Sequence, residues 1–161
     1  MSFLDTAKMP SLEHKIPPPL AGALVAAGMW AVCNFGPQFS FAPTLKFAAV
    51  ALLALAGATF DLLGLLAFRA ARTTVNPLRP ARASALVTGG VYRVTRNPMY
   101  VGMALFLLAW AVYLSAALPF AGPLVFALYI TCFQIRPEER VLKAKFGAGY
   151  SAYAARVRRW L

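Results

Sequence analysis

Acidic residues are scarce in this chain, and histidine and cysteine are scarcer. Five Asp and Glu stand against 16 Lys and Arg, giving a net charge of +11. There is one histidine, His14, and there are two cysteines, Cys33 and Cys132. A metal centre needs several convergent ligands. No cluster of His, Cys or carboxylates supplies them, so no metal is expected. Each cysteine sits within an apolar run and reads as a small packing residue, not as half of a disulfide. His14 is poorly placed for a general base. The chain also lacks a dinucleotide fingerprint, a phosphate-binding loop and a Ser–His–Asp set. Its first residues carry Asp5, Glu13 and His14 and do not read as a secretory signal.

Charge as a whole is sparse. The chain is 60% hydrophobic and 13% charged, whereas soluble domains average about 45–50% apolar and about 25% charged. Basicity alone fits nucleic acid or anionic lipid. Beside long apolar runs the lipid is favoured, and no nucleic-acid partner is expected. At 161 residues there is room for a single domain.

Four apolar runs follow. They cover approximately residues 19–35, 45–68, 99–118 and 119–135, and a span needs about 20 residues. Pro17, Pro18 and Pro19 open the first. Pro37 and Pro43 mark the loop after it, and Pro119, Gly122 and Pro123 mark the break between the last two. Backbone groups in hydrocarbon must be satisfied within the segment, so the runs should be helices. The cations agree. Lys8 and Lys15 precede the first run. Arg69, Arg72, Arg79, Arg82, Arg93 and Arg96 fall between the second and third. Seven more lie in the tail from Arg136, whereas loops 36–44 and 119–123 have none. The positive-inside rule places the N-terminus, the 69–98 loop and the 136–161 tail in the cytosol, which only an even number of spans allows, and four fits. The expected fold is an all-α polytopic bundle of about four transmembrane helices with C-terminal interfacial helices, in a bacterial inner membrane.

Four features could carry chemistry. The first is Gly89-Gly90-Val91-Tyr92, then Arg96-Asn97-Pro98-Met99-Tyr100 and Gly102. Glycines allow close backbone approach, and a helix start beside Arg96 suits an anionic group. The same residues also suit a plain helix start whose arginines meet lipid phosphates. The second is the pair Glu138 and Glu139, which could accept from a ribose or an ammonium, or could simply complement a helix dipole. The third is Thr73-Thr74-Val75-Asn76-Pro77, either a substrate mouth through Thr74 and Asn76 or an Asn-Pro turn. The fourth is Asp61, an acid inside the second run. Such a group usually faces the bundle interior or a cavity, where it could pair with a cation or contact a ligand.

Taken together, Gly90-Val91-Tyr92, Arg96-Asn97-Pro98-Met99-Tyr100-Val101-Gly102, Pro137-Glu138-Glu139-Arg140, Phe146-Gly147-x-x-Tyr150-x-x-Tyr153 and Val157-x-Arg159-Trp160 resemble membrane methyltransferases of the isoprenylcysteine carboxyl methyltransferase and phospholipid methyltransferase type. The resemblance covers residues 89–161. It implies a helical membrane enzyme that uses S-adenosylmethionine in a pocket near the cytosolic surface, with a lipophilic acceptor arriving from the bilayer. It further implies that Val91, Tyr92, Arg96, Asn97, Pro98, Tyr100 and Gly102 form one wall of the cofactor site. Glu138 and Glu139 form the other, with Tyr150 and Tyr153 in a lid. Asn97 and Glu139 are then the positioning candidates.

Asn97 stands where the family often has His, and Asn cannot act as a base. A carboxylate or thiolate acceptor needs no base, so an acidic acceptor is favoured. Two other readings compete. One is an NADPH-dependent reductase of the related sterol-reductase core. The other is a non-catalytic basic protein that binds anionic lipid.

Overall fold

A computed structural model describes residues 15–71 and 85–161. Thr74 and Asn76 lie outside the described residues. Among those described, the fold is helical without a regular strand. The helices are α1 (Pro18–Val32), α2 (Pro43–Ala70), α3 (Pro98–Leu114), α4 (Ala121–Ile130) and α5 (Arg136–Arg156).

Proline starts most of them. Pro18, Pro43, Pro98 and Pro137 each sit in the first turn of a helix, where a missing N–H costs nothing. Ser115 ends α3 in the left-handed region (φ 54) and returns its amide to Ala111 and Val112. Between α4 and α5, Thr131–Ile135 forms a π-turn, so the helix runs on as one rod from Leu118 to Gly147, whose non-helical backbone (φ 52, ψ −123) kinks α5. Such π-turns are rare and often accompany functional sites.

Two helices, Pro43–Ala70 and Leu118–Arg156, are long and apolar enough to cross a membrane. In the most apolar stretch of α2 only 11% is buried. A helix so apolar and so little covered by its own chain calls for an apolar solvent. At 15 and 17 residues, α1 and α3 are shorter, about 23 and 26 Å at 1.5 Å per residue. The first run extends as helix only to Val32, not to residue 35. The apolar part of the last rod ends at Ile135, and the polar half begins at Arg136.

The uncharged loops meet at one end of the molecule. Phe39 N donates to Ser115 O at 2.7 Å, and Ala117 N donates to Pro37 O at 3.0 Å. In the core, Ala111, Phe126, Ile130 and Ile135 are completely buried. Trp110 ties α3 to α1 through its Nε1 donor to Ala26 O at 3.1 Å.

The α2–α3 seam depends on missing side chains. Gly57 and Gly64 are the only buried residues of α2. A Cβ on Gly57 would lie 2.9 Å from Gly102 O, and one on Gly102 would lie 2.8 Å from Gly57 O. Backbones this close pack as small-residue seams do in membrane helices. Asp61 sits in the same seam, with its Oδ1 against Gly102.

Candidate functional site

The chemistry-bearing residues gather at the end of the molecule opposite the uncharged loops. Three pieces build the place. A 3-10 turn, Gly90–Arg93, leads through Thr95 to the start of α3. The first turn of α5 supplies Glu138 and Glu139. The residues after α5, from Val157, turn extended (φ −118, ψ 133) and fold back across Thr95–Asn97.

Gly90 adopts φ 59, a conformation that favours glycine, and so turns the chain into the 3-10 segment. This places Tyr92 in a buried cluster with Tyr150 and Tyr153. The Tyr153 hydroxyl donates to Tyr92 O at 2.8 Å, and Phe68 from α2 packs edge-on against the Tyr92 ring. Burial raises the hydroxyl pKa of Tyr92 and Tyr153, and pushes that of Tyr150 to about 12. All three are neutral donors at physiological pH.

Glu138 and Glu139 are adjacent but differently occupied, because successive helix positions point about 100° apart. Glu138 Oε1 accepts from the Tyr100 hydroxyl at 2.7 Å. Burial raises its pKa to about 7, against the opposing effect of the Tyr100 hydrogen bond, and the Glu139 charge adds to the rise. Glu139 instead holds two arginines. Arg96 Nη2 lies 2.9 Å from its Oε1. Arg159 grips both oxygens, Nε to Oε1 at 3.0 Å and Nη2 to Oε2 at 2.6 Å. Paired Arg–carboxylate contacts of this kind are short and directional. The hydrogen bond to Glu139 raises the Arg159 pKa further, so it stays charged.

Asn97 occupies the N-cap of α3 without capping it. Its Nδ2 donates to Arg159 O at 2.8 Å. Thr95, fully buried, donates to the same carbonyl at 3.2 Å. Arg96 N donates to Arg158 O at 2.9 Å. Arg96 Nε is buried and has no partner. Trp160 Nε1 anchors the returning segment on Thr131 Oγ1 in the π-turn, at 3.1 Å.

The structure thus brings together Tyr92, Arg96, Asn97, Tyr100, Glu138, Glu139, Tyr150 and Tyr153. It puts Pro98 at the buried helix start and Val91 half-buried in the tyrosine cluster. Gly102 lies elsewhere: its Cα faces Asp61 and Gly57 in the α2–α3 seam. Asp61 belongs to that seam too, and its Oδ1 is buried without a hydrogen-bond partner. Sequence reasoning gave no role to Thr95 or Thr131, and used Arg159 and Trp160 as parts of a motif. Their contacts join residues 29 to 64 positions apart, which local pattern does not report.

An apolar groove of about 540 Å3 opens between the last turns of α2 and residues 86–91. Leu63, Leu66, Ala67, Leu86 and Val91 line it, together with Thr88, Gly89 and Gly90. No group of three or more metal-ligating side chains occurs among the described residues.

The model of the phospholipid methyltransferase family matches residues 45–149. An uncharacterized protein of Haemophilus influenzae is 46% identical over 63 residues, which is 39% of this chain and all of the relative. No solved structure matches.

Proposed function

The chain belongs to the phospholipid methyltransferase family, and on that footing we propose that it transfers a methyl group from S-adenosylmethionine to a lipophilic or membrane-associated acceptor. The family is one of methyltransferases; the donor, the acceptor and a four-span, cytosol-facing arrangement are the proposal. One observation carries it. The two halves of the motif set, far apart in sequence, converge through Tyr100–Glu138 and Arg96–Glu139 at the arginine-rich end.

The donor's amino-acid end carries a carboxylate and an ammonium. Arg96 Nε is a buried donor without a partner, and such an orphan is costly unless a ligand satisfies it. It suits the carboxylate. Glu138 bears no arginine in these contacts and suits the ammonium. Tyr92, Tyr150 and Tyr153 form an apolar, aromatic surround that excludes water. When bound, the sulfonium supplies an already activated methyl group. The chain's own contribution is then to hold donor and acceptor in line, which positioning alone accelerates strongly. The apolar groove beside Leu63 and Leu66 suits the hydrocarbon part of an acceptor.

A carboxylate or thiolate acceptor remains the favoured class, because it needs no proton removed. The experiment is methyl transfer in native membranes from donor labelled in the methyl group, followed by identification of the labelled product. A labelled lipophilic ester or thioether supports the reading. Label in an amine product would retain the methyltransferase and change the acceptor class. No transfer into any membrane component would overturn it.

A further inference from the structure

We propose that Arg159 is a positioning residue for the cofactor site, its guanidinium fixing Glu139 while its backbone carbonyl fixes Asn97, so that one residue registers the two motifs against each other. The inference rests on the methyltransferase reading above. It adds a residue that lies beyond the segment matched by the family model, residues 45–149.

Three observations converge on it. The guanidinium meets both Glu139 oxygens at 3.0 and 2.6 Å. The carbonyl of the same residue accepts from Asn97 at 2.8 Å and from Thr95 at 3.2 Å. The flanking residues are pinned as well, Arg158 O by the Arg96 amide at 2.9 Å and Trp160 Nε1 by Thr131 at 3.1 Å. Arg159 is therefore held by its backbone on α3 and by its side chain on α5.

An ordinary surface ion pair contributes little. This one differs in setting. The side chains of Arg96, Glu139 and Arg159 are 13%, 18% and 33% exposed, and the fork fixes direction as well as charge. Without Arg159, Glu139 keeps only its contact with Arg96 among those described above. Arg96, whose Nη2 meets the same carboxylate, would then shift with it. A lysine keeps the charge but lacks the two-pronged geometry, so charge and orientation can be separated.

The test is calorimetric titration of the full chain in detergent with S-adenosylhomocysteine. The variants are Arg159→Met, Arg159→Lys, Glu139→Gln and the Arg159→Met/Glu139→Gln double. Each is melted without ligand as a control. Loss of a charged hydrogen bond that orients the site should weaken Arg159→Met by about tenfold or more, with Arg159→Lys recovering only part. The double should bind no more weakly than the weaker single, because both remove the same interaction. Wild-type affinity in Arg159→Met, full recovery in Arg159→Lys, or losses that multiply in the double would each overturn the inference. If Arg159→Met fails to fold, Arg159→Lys decides alone: weakened binding with an unchanged melt supports positioning, and wild-type binding refutes it. A wild-type chain that binds no S-adenosylhomocysteine would overturn the methyltransferase reading and this inference together. A wild-type chain that binds, with variants that bind equally well, would overturn this inference alone.

Discussion

The Tyr100 hydroxyl donates to Glu138 Oε1 at 2.7 Å and thereby joins the first turn of α3 to the first turn of α5. That contact links the two motifs and leaves Glu138, unlike its neighbour Glu139, without an arginine among the contacts described.

Glu138 titrates near pH 7 because burial raises its pKa. Below that pH it is neutral, and above it an anion. If the anion holds the ligand's ammonium, affinity for S-adenosylhomocysteine rises with pH. For a pKa of about 7, the ionised fraction climbs about tenfold between pH 6 and pH 8, and affinity should follow. Titration calorimetry across that range checks it, and Glu138→Gln should flatten the profile.

Tyr100→Phe removes the hydrogen bond that lowers the Glu138 pKa. The midpoint of the same binding profile should move to higher pH. Affinity at pH 6 should then fall more than affinity at pH 9. A uniform loss at every pH would mean that Tyr100 acts through packing alone.

The α2–α3 seam predicts a sharp contrast between glycines. In Gly102→Ala the new Cβ would run into the Asp61 carboxyl and lie 2.8 Å from Gly57 O. Backbone cannot yield cheaply, so the cost should be about 1–3 kcal/mol, read as a lower melting temperature in detergent. A Cβ on Gly28 meets nothing within 4 Å, and because alanine favours the helix interior over glycine, Gly28→Ala should leave the melt unchanged or raise it slightly.

The pairing of Phe39 with Ser115 and of Ala117 with Pro37 puts both uncharged loops at one end. With Cys33 and Cys132 replaced by alanine, Ser40→Cys and Ser151→Cys test topology through a membrane-impermeant maleimide. Both sites are exposed. In intact cells Ser40→Cys should react and Ser151→Cys should not. In inverted vesicles the order should reverse.

Much of this was legible in the sequence, and the limits are physical. Apolar runs bracketed by proline locate α1, α2 and α3, because proline both forbids and starts helices at known positions. The π-turn at Thr131–Ile135 has no such marker. Its anchor, Trp160 on Thr131, joins residues 29 apart. Motif resemblance brought Arg96, Asn97, Tyr100 and the two glutamates to one place. It did not divide Glu138 from Glu139, since their partners Tyr100 and Arg159 come from other elements. Gly102 looked like part of a ligand wall because it follows the motif. Its Cα instead faces α2, where Asp61 lies across it.

The most direct test of the central claim is saturable binding of S-adenosylhomocysteine to the full chain in detergent, with Arg96→Ala and Glu138→Gln beside it. One cofactor site built from both motifs predicts 1:1 binding at pH 8 that each variant weakens. Absence of binding in the wild type, or wild-type affinity in both variants, would contradict it.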